Sequence, residues 1–290
     1  MAKARSKHGG LFVTQYTSLD TPLVHEVYEK DDNFIVTEGE GKEEVWIFFS
    51  GNGLYFPNDE STFRKVVIEQ NRYEWTFVAR CVRKRAKKII FVRDVYKRWY
   101  LDGINASCDT PDKVAELLKR EAAGAPVVTV GNSAGAYMAL LIGTILEAKY
   151  VYAFNPQVCL SFVDKDDHPL VHSYEGTEKG SYFDLSDKIK ESPSTIFFFY
   201  AAENEDDKRH ASLVEESSVC FFPFREKNHG KTVLAVNYEP LFSSPESLKS
   251  VRIEHPVSAR KFLFLTAKGK GLYLYCKSIW TRGWRKLTKK

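Results

Sequence analysis

The stretch Val127–Gly143, "VVTVGNSAGAYMALLIG", carries four β-formers into Gly131-Asn132-Ser133-Ala134-Gly135 and then a run of small and apolar residues. In that setting G-x-S-x-G is the pattern of a nucleophile elbow. The tight strand-to-helix turn strains the serine backbone, so the residues two positions away must be small. Gly131 and Gly135 meet that need. The Ser133 hydroxyl then projects above the carboxyl edge of a sheet, beside the positive end of a helix. A Gly-Ser turn also serves as compact packing or as a phosphate cradle. A phosphate loop usually carries a lysine or more glycines, so the nucleophile is favoured.

A serine nucleophile needs a base, and the base needs an orienting acid. In this type of elbow the chain order is serine, acid, histidine. The apolar strand "TIFFFYAA" runs into "ENEDDKRH", and the next strand, "VCFFPFRE", runs into "KNHGK". His229 therefore lies in a loop after the following strand, flanked by Asn228 and Gly230. Glu203, Glu205, Asp206 and Asp207 are all in reach on spacing. A short acid after a rigid strand favours Asp206 or Asp207, and Asp207 is the choice, with Asp206 next. Each of these carboxylates also fits a solvated loop capping the helix that begins near Lys208.

An oxyanion hole needs backbone N–H groups aimed where charge develops. Ala134 supplies one. "VWIFFSGNGLYF" ends a strand at Phe49 and then bares its backbone, which points to Gly51 and Asn52. An ordinary Gly-rich turn reads the same way. His8, His25, His168, His172 and His210 are weaker candidates, with His210 expected to be exposed and structural. No HxH, HExxH or Cys/His cluster is present, so no metal site is expected.

Working outward, strands alternate with helices and read as nearly continuous apolar runs. This predicts a mostly parallel sheet covered by helices on both faces, an α/β fold. "TPDKVAELLKREAAG" is a helix with Thr110 as N-cap, Pro111 in its first turn and Gly124 as its stop. "ESTFRKVVIEQN" has helical spacing. Phe34–Thr37 and Val45–Phe49 read as a hairpin, and "EWTFVARCV" and "KKIIFVRD" as strands. Residues 161–192 are polar and read as a small insertion or cap.

The chain has 290 residues, 43% hydrophobic and 28% charged, enough for a full core. One main domain over 1–254 is expected, with a basic aromatic C-terminal extension over 255–290. No apolar run reaches the ~18 residues of a membrane span. "LFVTQYTSLD" is too short and polar for a signal sequence. The five widely spaced cysteines read as buried thiols in a reducing cytoplasm. The net charge is +4, yet the ten Lys and Arg from His255 onward face no Asp or Glu. "KSIWTRGWRKLTKK" interleaves Trp280 and Trp284 with cations. Such a segment can bind an anionic membrane surface or an acidic polymer, or it is a solvated terminus. Nucleic acid ranks last, since no nucleic-acid motif accompanies it.

Taken in order, "IFFSGNG", "GNSAGAYMALLIG", "FYAAENEDD" and "NHG" resemble the α/β-hydrolase superfamily over roughly Val45 to Val236. Within it, the "GNSAGA" elbow, the "NPQ" after the next strand, Asp207-Lys208-Arg209-His210 and "FVRDVYKRWYLDG" resemble a divergent bacterial branch. That branch accompanies surface-polysaccharide biosynthesis and includes capsule O-acetyltransferases. The resemblance implies Ser133, Asp207 and His229 as nucleophile, acid and base, acting as an O-acetyltransferase or esterase on a carbohydrate. It implies acetyl-CoA as acyl donor. No bound cofactor is expected, and the chain is expected in the cytoplasm, peripheral to the inner membrane. The other reading is a non-catalytic protein of this fold that binds glycan or a membrane-associated assembly partner. Trp99, Tyr100 and Tyr137 are candidates for stacking on sugar rings, although aromatics more often fill the core.

Overall fold

The structure, a computed structural model, describes residues 19–276 except 166, 167, 216, 218, 268, 270, 272 and 275. His8 and the aromatic basic end with Trp280 and Trp284 lie outside the described residues. Seven strands form one sheet: β1 (Phe34–Glu38), β2 (Glu44–Phe49), β3 (Ala86–Val92), β4 (Val127–Asn132), β5 (Tyr150–Phe154), β6 (Thr195–Ala201) and β7 (Cys220–Phe224). Their order is β1-β3-β2-β4-β5-β6-β7. All neighbours run parallel except β1, which pairs antiparallel with β3.

The expected hairpin is corrected by this order. Every residue of β2 is buried, so the strand needs a partner on each side, and β3 and β4 supply them. The half-exposed β1 is left at the edge. Gly39 and Gly41 lie where a Cβ would come within 1.8 Å of the Ala86 carbonyl and 2.0 Å of the Arg85 carbonyl. Those glycines serve a close pass beside the start of β3.

"EWTFVARCV" is also not a strand. It forms a turn and a 3₁₀ helix over Val78–Cys81. Trp75, Val78, Ala79 and Val82 pack together on the sheet, at the i, i+3, i+4, i+7 spacing of a helix. "ESTFRKVVIEQN" is helical as expected, α over Glu60–Phe63 and widening to π over Arg64–Glu69.

Alternate side chains of the strands feed two cores. Val45, Ile47 and Phe49 face the helices Pro111–Ala122 and Ala134–Ile145. Thr110 Oγ1 caps the first of these from the Lys113 N–H, and Ala123 and Gly124 end it at φ 48° and 78°. Trp46, Phe48, Phe199, Phe222 and Phe224 face the opposite side, against Leu241, Phe242 and Phe262.

Phe262 sits on the helix Ala259–Thr266 and is fully buried, with its ring 5.1 Å from Phe224 and 5.4 Å from Phe222. The packed body therefore continues past residue 254. Between β5 and β6, residues of the insertion join the first core through Val163, Val171, Phe183 and Leu185. Of the cysteines, Cys108 and Cys159 are buried, while Cys81 and Cys276 are exposed, against the expectation that all are internal.

Candidate active site

Parallel register brings the loops after β2, β4, β6 and β7 to one edge. Phe49 lies beside Gly131, Asn132 beside Phe154, Phe154 beside Phe199, and Ala201 beside Phe224. The chain leaves β2 toward β3 on one side and returns to β4 on the other. The edge above β2 and β4 is thus the switch point, where α/β sheets place their ligands.

Ser133 follows β4 with φ 53° and ψ −121°, a strained region that costs roughly 1–3 kcal/mol. Its surroundings enforce it. A Cβ on Gly131 would lie 2.0 Å from the Gly135 carbonyl oxygen, and one on Gly135 would lie 2.4 Å from that of Phe49. The Ser133 N–H donates to the Phe154 carbonyl at 2.9 Å, which ties the turn to β5. Its carbonyl begins the helix by accepting from Ala136 and Tyr137.

His229 Nε2 accepts from the Ser133 hydroxyl at 2.8 Å, and its Nδ1–H donates to Asp207 Oδ1 at 2.6 Å. Asp207 is buried. Its second oxygen accepts from the Ala201 N–H at 2.9 Å and from Asn155 Nδ2 at 2.6 Å. Burial pushes the Asp207 carboxyl up, but the His229, Ala201 and Asn155 hydrogen bonds outweigh it and hold it below the ordinary value.

The competing acids fall away. Asp206, Glu203 and Glu205 are exposed, and Glu205 pairs with Lys208. The reason is helical phase. Asp207, His210 and Ala211 form the buried stripe of helix Glu205–Ser212, and Asp206 is a turn-third away from it. The same stripe corrects His210. It is 3% exposed, and burial lowers its imidazole to about 4.

Asn155 is a site residue that sequence reading missed. It is fully buried with φ 47°, and Thr232 donates to its Oδ1 at 3.0 Å. An Asn-Pro pair closing β5 was the visible signal.

The loop after β2 corrects one oxyanion assignment. The Gly51 N–H donates to Glu74 Oε2 at 2.7 Å, so it is already engaged. Ser50 Oγ accepts from the Glu74 N–H at 3.2 Å, and the Tyr100 hydroxyl donates to the Ser50 carbonyl at 2.7 Å. Of the three expected donors, Asn52 and Ala134 remain. Ala134 opens its helix, so its N–H has no acceptor within that helix.

The "RDVYKRWYLDG" segment builds the opposite wall. The Asp94 carboxylate accepts from the N–H groups of Tyr96, Lys97, Arg98 and Tyr100 at 2.7–2.9 Å. This supports positive φ at Lys97, Trp99 and Tyr100. The Trp99 indole N–H then donates to Gln157 Oε1 at 2.7 Å, and that oxygen lies 3.5 Å from Ser133 Oγ. Trp99, Tyr100 and Tyr137 are at most 1% exposed, so their rings fill the core and offer no stacking face.

Of the other histidines, His25 bonds Tyr96 and Asp20, and His172 bonds Val163 and Glu175, none of them part of the Ser133 chain. His168 meets the Trp99 ring edge-on at 4.7 Å, and burial lowers it to about 4. Among the described residues no three His, Cys, Asp or Glu side chains are placed to share a metal ion, and no helix is long and apolar enough to cross a membrane.

No protein-family model and no curated protein sequence matches the chain. Solved structures align with it at low sequence identity. The capsule O-acetyltransferase of Neisseria meningitidis serogroup A aligns with a TM-score of 0.51 at 13% identity, over 74% of this chain and 92% of that one. A lipase-esterase related protein from Clostridium acetobutylicum ATCC 824 aligns at 0.47 with 11% identity, over 74% and 98%. The 2,6-dihydroxy-pseudo-oxynicotine hydrolase aligns at 0.49 with 11% identity, over 75% and 64%. The chain has the α/β-hydrolase fold, as its motifs led one to expect.

Proposed function

We propose that the chain is a serine-dependent acyl-transfer enzyme. The observation that carries this is the hydrogen-bonded sequence Ser133–His229–Asp207, with Ser133 in the strained backbone of an elbow. His229 Nε2 takes the Ser133 proton as Oγ forms its bond to an ester or thioester carbonyl carbon. The Asn52 and Ala134 N–H groups hold the resulting oxyanion. Asp207 fixes the Nδ1–H tautomer and stabilises the imidazolium. The leaving group departs with the proton from His229, giving an acyl-serine. Water or a second hydroxyl, deprotonated by His229, then releases the acyl group and restores Ser133.

Either acceptor suits this machinery. The His229 side chain is 36% exposed, so water has access, and transfer depends on an acceptor bound well enough to exclude it. The acceptor proposed is a carbohydrate hydroxyl and the donor acetyl-CoA, in surface-polysaccharide biosynthesis. What supports this finer reading is the motif resemblance, together with a fold shared with an enzyme described as a capsule O-acetyltransferase. A cytoplasmic site of action, with the basic end meeting an anionic membrane surface or acidic polymer, belongs to the same proposal. A purely glycan-binding role is disfavoured, because binding needs neither the engaged histidine nor the strain at Ser133.

The test pairs a plain ester-hydrolysis assay with incubation in acetyl-CoA and candidate capsular glycans, read by mass. Acetylated glycan from the wild type and none from Ser133→Ala supports transfer. Hydrolysis alone reassigns the enzyme as an esterase. Equal turnover by both proteins overturns the serine mechanism.

A further inference from the structure

A cavity of about 220 Å³ is lined by Asn132 and Gly230, the chain neighbours of Ser133 and His229. Its other walls include Glu74, Trp75, Phe154 and Tyr238. The three rings pack as a cluster, with Trp75 5.4 Å from Tyr238, Phe154 5.4 Å from Tyr238 and Trp75 5.8 Å from Phe154. Both Trp75 and Tyr238 keep part of their surface exposed.

Glu74 brings a carboxylate to this aromatic wall. One oxygen accepts from the Gly51 N–H at 2.7 Å. Among the described residues no lysine, arginine or histidine forms an ion pair with it. Arg72 and Lys97 act on Glu74 through their field, and the Lys97 ammonium is spent on the Tyr55 carbonyl and the Asn58 side chain. A half-buried carboxylate without an ion-pair partner is costly, and burial raises its affinity for a proton despite the opposing pull of the Gly51 hydrogen bond, Arg72 and Lys97. A cation supplied by a ligand relieves that cost, and ring faces beside it add attraction of their own. An anionic group meets repulsion.

We propose that this cavity is a substrate subsite for an ammonium group, held between the Glu74 carboxylate and the Trp75 and Tyr238 rings. The inference rests on the acyl-transfer reading and narrows its substrate to an ester whose alcohol or acyl half carries a positive charge near the reacting carbonyl. The Glu74 contact to Gly51 also couples occupancy of the subsite to the loop that presents Asn52.

Binding is tested first without turnover. Calorimetric titration compares choline with its neutral isostere 3,3-dimethylbutan-1-ol, on the wild type and on Glu74→Gln. The glutamine keeps an acceptor for Gly51. The expected result is a preference for choline of about tenfold or more in the wild type, lost in the variant. Equal affinities in the wild type, or no binding of either compound, overturn the proposal whether or not the variant folds, as does a preference that Glu74→Gln retains.

Turnover then locates the charge. Acetylcholine is set against 3,3-dimethylbutyl acetate, and the phenyl ester of trimethylglycine against phenyl 3,3-dimethylbutanoate. A cationic preference in the first pair that Glu74→Gln abolishes assigns the subsite to the alcohol, and one in the second assigns it to the acyl group. Active enzyme with neither preference overturns the subsite. Choline binding without turnover of any ester counts instead against the acyl-transfer reading.

Discussion

Asp206 and Asp207 are neighbours in the chain with opposite fates. Asp207 is buried against His229, Asn155 and Ala201, and Asp206 faces water. Asp207→Asn is expected to keep the fold and lower kcat by about 10³–10⁴-fold, because the amide leaves the wrong imidazole tautomer favoured. Asp206→Asn should leave ester turnover within about twofold of wild type, since a solvated carboxylate without contact to the site contributes little. Steady-state kinetics of the two variants checks both. The contact of Asp207 with His229 could be anticipated because a short acid after a strand is what an orienting partner for the histidine needs. Asn155 could not, because its role appears only when β5 and β6 lie side by side and its amide reaches Asp207. The Gly51 amide was misassigned for a similar reason. Nothing in the local sequence announces that Glu74, 23 residues on, captures it.

The elbow, the Thr110-capped helix and the apolar strands could be read because each is fixed by its own short segment. The hairpin was misread because pairing is a property of partners. β2 is buried along its whole length and takes β3 and β4, which pushes β1 to the edge of the sheet. The elbow makes a sharp claim of its own. Gly131→Ala and Gly135→Ala place a Cβ 2.0 Å and 2.4 Å from carbonyl oxygens, so each should destabilise by more than about 2 kcal/mol in urea unfolding.

Helix Glu205–Ser212 carries a pH dependence through the buried His210. Its folded value near 4 lies below the ordinary 6.5, so between those values the unfolded chain binds a proton that the folded one does not. Stability should therefore fall as pH drops from 6.5 toward 4, by about 3 kcal/mol from this group. A His210→Gln variant should show a flatter pH profile of the urea midpoint, and an unchanged profile would contradict the assignment.

The placement of the site follows from topology. Loops from β2, β4, β6 and β7 meet only because the strands are parallel and in register, so residues spread from Asn52 to His229 converge on one edge. The sequence showed the order of these loops, and the alternation of strands and helices showed that they share an edge. The limit of the body was less visible. The basic character of the last segment masked the apolar Phe262, which packs on Phe199, Phe222 and Phe224. Phe262→Ala should cost about 3–5 kcal/mol in chemical denaturation. Removal of everything after residue 254 should expose that side of the sheet and lower the Tm; an unchanged Tm would return the boundary to 254.

Labelling by a serine-directed fluorophosphonate, mapped by peptide mass spectrometry, tests the nucleophile most directly. The adduct is expected on Ser133 in the wild type. It should form more slowly by orders of magnitude in His229→Ala and be absent in Ser133→Ala, with folding retained in all three. A folded wild-type chain that gains no adduct at Ser133, or one labelled equally fast without His229, would contradict the account.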